Sequence, residues 1–79
     1  MGESFVLKCI GGNIRKHRKT RKMTQEDLSV ACSFEKARLS RIENGRANPT
    51  IKSLFKISKA LEIDMIDLFD EQQQQQQAS

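Results

Sequence analysis

The sequence predicts an all-α fold, with one small domain over residues 1–70 and a glutamine-rich tail over residues 71–79. Three observations support this prediction. Large apolar residues recur at intervals of three and four, the spacing of a buried helix face. Thr and Asp residues stand where N-terminal caps of helices would begin. The chain has four Phe and no Trp or Tyr, so we expect a core of aliphatic side chains.

The first predicted helix spans residues 5 to about 22. Its inward stripe consists of three aliphatic residues at helical spacing, Leu7, Ile10 and Ile14. Continuing the stripe brings His17 to the same face. Gly11 and Gly12 lie in the middle of the segment, and because glycine has a low helix propensity they weaken the prediction for its early part.

The second and third predicted helices are short and adjacent. Thr24 can cap the second helix and Asp27 stands three residues later, which is the spacing of a capping box. The residues expected on its inward side and at its end are Leu28, Ala31, Cys32 and Ser33. The third helix is expected over residues 35–44 and ends at Gly45, a favoured C-terminal residue.

The second half of the chain predicts two more helices. Thr50 is the expected cap of the fourth helix, whose inward residues would be Ile51, Leu54, Ile57 and Leu61. Asp64 and Asp67 repeat the capping pattern at the start of a short fifth helix that runs through Phe69. Six consecutive Gln cannot build a core, so residues 71–79 are predicted to be a disordered tail.

The charge distribution indicates an anionic partner. The formal net charge is +4. Residues 1–49 hold eleven Lys/Arg against five Asp/Glu, a net +6, and residues 50–79 hold three against five, a net −2. This asymmetry suggests that one face meets an anion, with nucleic acid as the first candidate. A generally charged soluble surface is the alternative interpretation.

Several other classes of protein are disfavoured. Cys9 and Cys32 form no Cys-x-x-Cys pair and are interpreted as reduced thiols, and His17 is the only histidine, so no metal or cofactor is expected. No apolar run is long enough for a signal sequence or a membrane span, which predicts a cytoplasmic protein. No nucleophile–base pair or phosphate-binding loop is visible, so an enzyme is not expected.

Residues 24–45 favour two helices that cross at a tight turn. Gln25 opens the first of them and Ser29 is small where the second would cross; the residues whose spacing would lock the pair together are Phe34, Leu39 and Ile42. The segment resembles the helix-turn-helix of the lambda-repressor-like family, also called the Cro/C1 or Xre type. The resemblance covers about residues 10–69, through the motifs IGGNIRKHR, MTQEDLS, LSRIENG, NPTIKSLFKISKALEI and DLF. It implies five helices, a two-fold dimer on double-stranded DNA, and the second motif helix (the recognition helix) in the major groove.

The recognition helix should pack on one side and bind DNA on the other. At 100° per residue, the packed side would hold Glu35, Leu39, Ile42 and Glu43, and the opposite side Ala37, Ser40, Arg41 and Asn44. Lys36 and Arg38 lie between, where long side chains can bend toward a groove. Lys and Arg donate to guanine O6 and N7, and alanine can touch a thymine methyl. The predicted base contacts are therefore Lys36, Ala37, Arg38 and Arg41.

Contacts to the DNA backbone are predicted at two helix starts, around the end of the recognition helix and in the loop after it. Free N–H groups and the helix dipole favour phosphate at a helix start, and such contacts position a protein without reading sequence. The predicted backbone contacts are Thr24, Gln25, Ser40, Asn44, Arg46, Asn48, Thr50 and Lys52.

The resemblance also implies an ion pair between the first helix and the recognition helix. Arg18 and Glu43 occupy the two positions, and a structural pair is expected because a buried unpaired Glu would be costly. Ser33 stands where the family often has a left-handed Gly, at a cost of roughly 1–2 kcal/mol if the backbone is kept. His17 takes a position that is usually aliphatic in the family and is interpreted as a partly buried histidine.

The chain ends soon after the fifth predicted helix, so a homodimer is expected to form from this domain itself. The candidate interface is Phe55, Met65, Ile66 and Phe69, and packing within the monomer is the competing interpretation. The start ESFVL, its spacing to MTQEDL, and TIKSL are similar to controller proteins of restriction–modification systems, which are autoregulators. Small phage-type repressors and antitoxins share nearly the same features. The alternative function is a module of the same fold that acts mainly through a protein partner.

Overall fold

The computed structural model describes residues 2–70, and the predicted glutamine-rich tail lies outside this range. Every regular element in the described range is helical, which confirms the predicted all-α fold. The four α-helices are α1 (Glu3–Thr20), α2 (Gln25–Cys32), α3 (Lys36–Glu43) and α4 (Ile51–Leu61). A 3₁₀ helix, Met65–Phe69, takes the place of the predicted fifth helix. The count of five helices is therefore not confirmed.

The core lies where the four α-helices and the 3₁₀ helix meet. α1 packs against α3 and the 3₁₀ helix, and α2 packs against α3 and α4. The buried apolar side chains of this core are Ile10, Ile14, Leu28, Cys32, Leu39, Ile42, Leu54, Ile57, Leu61 and Leu68. Nearly all are aliphatic, as the scarcity of aromatic residues predicts, and their burial is the main favourable term in the folding of so small a domain.

α1 continues without a break through Gly11 and Gly12, the point at which its sequence predicts weakness. Gly11 is buried where α1 meets α3, and a Cβ at this position would collide with the carbonyl oxygens of Ile42 and Glu43. The glycine therefore permits a close approach of the two helices. Packing against α3 offsets the low helix propensity of glycine.

α2 begins with the predicted capping box. The Thr24 hydroxyl accepts a hydrogen bond from the Asp27 backbone N–H at 3.0 Å, and the Thr24 backbone N–H donates to the Asp27 carboxylate at 2.9 Å. The bond from the Thr24 backbone, followed by the contact with the Thr24 side chain, lowers the pKa of Asp27 below its ordinary value. Two of the free N–H groups at this end of the helix are thus satisfied.

Two apolar residues predicted to face inward are exposed. Ala31 lies outside the inward face of α2, which is formed by Leu28, Ser29 and Cys32. At 100° per residue it points more than a quarter turn away from the centre of that face. Ile51 is 63% exposed because it is the first residue of α4, and the buried stripe of that helix starts at Ser53 and Leu54.

A buried amide holds the end of the described chain. Asn13, on α1, is fully buried, and its Nδ2 donates to the carbonyl oxygens of Leu68 at 2.9 Å and Asp70 at 3.0 Å. Asp64 occupies the N-cap position of the 3₁₀ helix, but its side chain makes no capping hydrogen bond, so the capping box predicted there is wrong. The 3₁₀ helix is held instead at its C-terminal end, by Asn13 and by the buried side chain of Leu68.

Candidate nucleic-acid interface

α2 and α3 form a helix-turn-helix whose turn is closed by backbone hydrogen bonds. Ser33 has φ 60° and ψ 38°, the left-handed conformation. Its N–H donates to the carbonyl of Val30 at 3.1 Å, and the N–H of Phe34 donates to the carbonyl of Ser29 at 2.8 Å. The left-handed backbone that the resemblance implies is therefore present here with serine in place of glycine. Ser29 is buried, in agreement with the need for a small residue at the crossing.

α3 divides into a packed side and an outward side. Leu39, Ile42 and Glu43 are buried. The outward side presents the exposed side chains of Lys36, Ala37, Arg41 and Asn44, with Ser40 half-buried among them. Glu35, predicted on the packed side, is exposed because it is the N-cap residue and precedes the helix proper.

Arg38 differs from the other predicted base contacts because its side chain is bound to other residues of the protein. It is half-buried, and its guanidinium lies over the ring of Phe34, 4.4 Å from the centroid. Its Nη2 donates to Oγ of Ser53, on α4, at 2.7 Å. The sequence places Arg38 beside the outward side of α3, four residues after Phe34. It contains no signal for the contact with Ser53, which lies fifteen residues away.

Glu43 is the point at which three helices are joined. Arg18 of α1 approaches it with two nitrogens, Nε at 2.7 Å from Oε2 and Nη2 at 3.1 Å from Oε1. Oε1 also accepts hydrogen bonds from Gln25 of α2 at 3.1 Å and from Arg15 of α1 at 3.5 Å. The carboxylate is thus buried with its charge compensated, as a buried ion requires.

Arg15 is absent from the predicted site and extends this network to the protein surface. Its Nη2 donates to Oδ1 of Asn44 at 2.7 Å, and its side chain remains 42% exposed. Arg15 precedes Arg18 by three residues, so the two lie on one face of α1. That spacing is the signal in the sequence that would have found it.

The predicted backbone contacts lie at the two helix starts and around the end of α3. Thr24 and Thr50 are the N-cap residues of α2 and α4, and the Thr50 hydroxyl accepts a hydrogen bond from the Ser53 N–H at 3.0 Å. Gln25 is half-buried and is held by Glu43. The remaining exposed members are Asn44, Arg46, Asn48 and Lys52.

The four residues predicted at a dimer interface differ in exposure. Phe55 is 52%, Ile66 74% and Phe69 43% exposed. Met65 is half-buried and packs against the monomer core. The Nζ atom of Lys59 lies 5.6 Å from the centroid of the Phe55 ring.

His17 and the two cysteines lie apart from the recognition helix in sequence. His17 is half-buried, and its Nε2 has no hydrogen-bond partner within residues 2–70. Both cysteines are buried. Burial raises the pKa of the Cys32 thiol, with Lys56 acting in the opposite direction. The described part of the chain contains no group of three side chains suited to a metal ion. Within the same range, no helix combines the length and hydropathy that a membrane span requires.

Comparison with known proteins agrees with this geometry. The helix-turn-helix family model HTH_3 matches residues 14–68. The uncharacterised HTH-type transcriptional regulator y4dJ of Sinorhizobium fredii is 33% identical over 63 residues, which cover 80% of this chain and 82% of the relative.

Two solved structures of restriction–modification controller proteins have similar folds. C.AhdI of Aeromonas hydrophila aligns with a TM-score of 0.78 at 25% identity, covering 80% of this chain and 96% of that protein. Wild-type C.Esp1396I aligns with a TM-score of 0.75 at 38% identity, covering 82% of this chain and 84% of that one. Since the family model spans most of the sequence, the chain belongs to the HTH_3 helix-turn-helix family of DNA-binding transcription regulators.

Proposed function

We propose that this protein is an autoregulatory controller of a restriction–modification system that binds its operator DNA as a homodimer. The observation that carries the proposal is the division of α3 into two sides. Lys36, Ala37 and Arg41 are exposed on the outward side, while Leu39 and Ile42 anchor the helix from behind. A helix presented in this way fits the major groove of B-DNA.

Reading of the operator is assigned to the exposed side chains of α3. Arg41 offers a two-pronged donor for guanine O6 and N7, and Lys36 offers a flexible one. Ala37 is small enough to contact the methyl group of a thymine. Glu43 holds α3 in its orientation through Arg18 and Gln25. The side chains assigned to read bases therefore project from a helix whose orientation is fixed.

Positioning on the duplex is assigned to the starts of α2 and α4 and to the loop after α3. Thr24 and Thr50 cap helices whose first N–H groups favour phosphate oxygens. Arg46, Asn48 and Lys52 are exposed nearby in sequence. Arg15 joins this set, because its side chain is partly exposed and its guanidinium donates to the side chain of Asn44.

The homodimer is assigned to the exposed apolar side chains of α4 and the 3₁₀ helix. Phe55, Ile66 and Phe69 expose apolar surface that association would remove from water. The controller role is supported by the likeness to C.AhdI and C.Esp1396I, which are restriction–modification controllers. A regulator of this kind would act in the cytoplasm, on its own promoter.

The proposal is tested by selecting bound fragments from random double-stranded DNA and measuring affinity for the selected sequence as salt is raised. We expect a two-fold symmetric sequence and a steep fall in affinity with salt, because several phosphates are contacted. Light scattering at the same protein concentrations should give the mass of a dimer. If no sequence is enriched and the protein instead binds a protein partner without DNA, the alternative function, a protein-interaction module of this fold, is correct.

A further inference from the structure

The side chain of Arg38, on α3, contacts both the turn that precedes this helix and the distant helix α4. Its guanidinium lies against Phe34, in the turn between α2 and α3, and donates to Ser53 on α4. Ser53 is 6% exposed, and its Oγ also accepts a hydrogen bond from the hydroxyl of Thr50 at 3.0 Å. Thr50 is the N-cap of α4. A continuous set of contacts therefore runs from the helix-turn-helix to the first turn of α4.

These contacts leave the Arg38 guanidinium poorly placed to read a base. The guanidinium lies over the ring of Phe34, and its Nη2 donates to Ser53. If the Arg38 guanidinium moved into the major groove of bound DNA, the cation–π contact and a short charge-assisted hydrogen bond would be broken. It would also leave the buried Ser53 hydroxyl without its cationic donor. Lys36, Ala37 and Arg41 have no such conflict, because their side chains are exposed.

We infer that Arg38 is a positioning residue: it fixes the first turn of α4 relative to the recognition helix, so that both meet one DNA duplex together. The inference rests on the proposed function and adds a division of labour to it. α3 reads bases, the start of α4 binds phosphate, and Arg38 sets the spacing between them. Phe34 keeps the guanidinium in place through its ring, and Ser53 receives it on α4.

The inference predicts that Arg38 and Ser53 act as a unit. Arg38→Ala removes the guanidinium, and Ser53→Ala removes only the hydroxyl that receives it. Ser53→Ala leaves the cap of α4 intact, because Thr50 is bonded to the backbone N–H of Ser53. We expect each variant to lower the affinity for the selected operator about tenfold, the effect of one charge-assisted hydrogen bond. The double variant should bind the operator no more weakly than the single variant that has the lower affinity.

The distinguishing measurements are the preference at each base pair and the salt dependence of binding. In both variants the preference for each base should match the wild type, while the slope of log affinity against log salt falls by about one phosphate contact. Arg21→Ala is the control for loss of one positive charge, since Arg21 is exposed and pairs with exposed Glu62 at 3.0 Å. It should leave the affinity within about twofold of the wild type, as expected for an exposed pair.

Two results overturn the inference while the proposed function stands. In the first, Arg38→Ala abolishes the preference at one base pair and Ser53→Ala binds as the wild type does, so Arg38 reads a base. In the second, both variants melt at a lower temperature but keep the wild-type affinity and salt slope, so the contact serves folding alone. If the wild-type protein selects no DNA sequence, the proposed function fails and the inference fails with it.

Discussion

Arg18 and Glu43 join α1 to the recognition helix through a two-pronged ion pair, with nitrogen–oxygen distances of 2.7 and 3.1 Å. The Glu43 side chain is fully buried and the Arg18 side chain is 10% exposed. Arg18 also donates to the carbonyl of Met23 at 2.9 Å, just before α2 begins. One carboxylate and one guanidinium therefore fix the orientation of α3 relative to both preceding helices.

Glu43→Gln should destabilise the fold by about 3 kcal/mol, because it leaves a buried Arg18 charge without its partner. Urea unfolding followed by circular dichroism measures the change. Glu62→Gln is the matched control. It neutralises the acid of an exposed pair, with the Glu62 side chain 70% exposed, and should cost less than about 1 kcal/mol. Equal effects of the two variants would contradict a stabilising role for the buried pair.

Gly11→Ala should be destabilising even though alanine is the better helix former. The gain in propensity is about 1 kcal/mol, but the added methyl group would collide with the backbone carbonyls of Ile42 and Glu43. Because backbone cannot move aside as a flexible side chain can, we expect a net loss of about 2 kcal/mol. Thermal unfolding measures it. Gly2→Ala, where a Cβ meets no atom within 4 Å, replaces only the N-cap glycine of α1 and should cost no more than about 1 kcal/mol. A stabilised Gly11→Ala variant would contradict the close packing of α1 and α3.

Ser33→Gly should stabilise the protein by about 1 kcal/mol, because the left-handed backbone is strained for a residue with a Cβ. Ser33 is exposed, so removing its side chain leaves no cavity. The midpoint of urea unfolding reports the gain. Ser33→Ala retains the Cβ and should give no such gain. If alanine and glycine stabilised the protein equally, relief of backbone strain would not be the cause.

Asp27→Asn should lower stability at neutral pH and leave it little changed in acid. The pKa of Asp27 is lowered in the folded state, so its carboxylate adds stability above the ordinary Asp pKa of about 4, and this contribution is lost as the pH falls through the lower folded value. Unfolding of the wild type and the variant at a series of pH values measures the difference. Glu26→Gln, in the same helical turn but outside the capping box, is the control for the loss of one negative charge. A difference that persists undiminished at pH of about 2 would count against the capping carboxylate.

Arg41→Ala should weaken binding to the selected operator by about 1–3 kcal/mol and relax the preference at one base position. Titration of operators with single base substitutions measures both effects. Lys52→Ala is the comparison, since Lys52 is proposed to contact phosphate. It should weaken binding to all sequences by a similar factor and reduce the salt slope by about one. Unchanged affinity of Arg41→Ala for the operator would remove Arg41 from the base-reading set.

The sequence predicts the helices well, because their signals are local. The capping box at Thr24 and Asp27 is formed as predicted, and Thr50 caps α4. The aliphatic spacing also places Leu39 and Ile42 in the core. Two errors concern exposure: Ile51 is the first residue of its helix, and Ala31 points away from the buried face of α2. At Met65–Phe69 the same local signals do not distinguish a 3₁₀ helix from an α-helix.

The sequence by itself therefore determined the helical elements, the caps and the cationic outward side of α3, because each depends on residues within one or two turns of one another. Apart from the Arg18–Glu43 pair, which the family resemblance implied, the tertiary structure alone decided which residues meet across helices. Gly11 lies against α3, Asn13 binds the end of the 3₁₀ helix, Arg15 reaches Asn44, and Arg38 is held by Ser53. Contacts of this kind join residues fifteen to fifty-seven positions apart, and their geometry depends on how the helices pack, which no local pattern encodes.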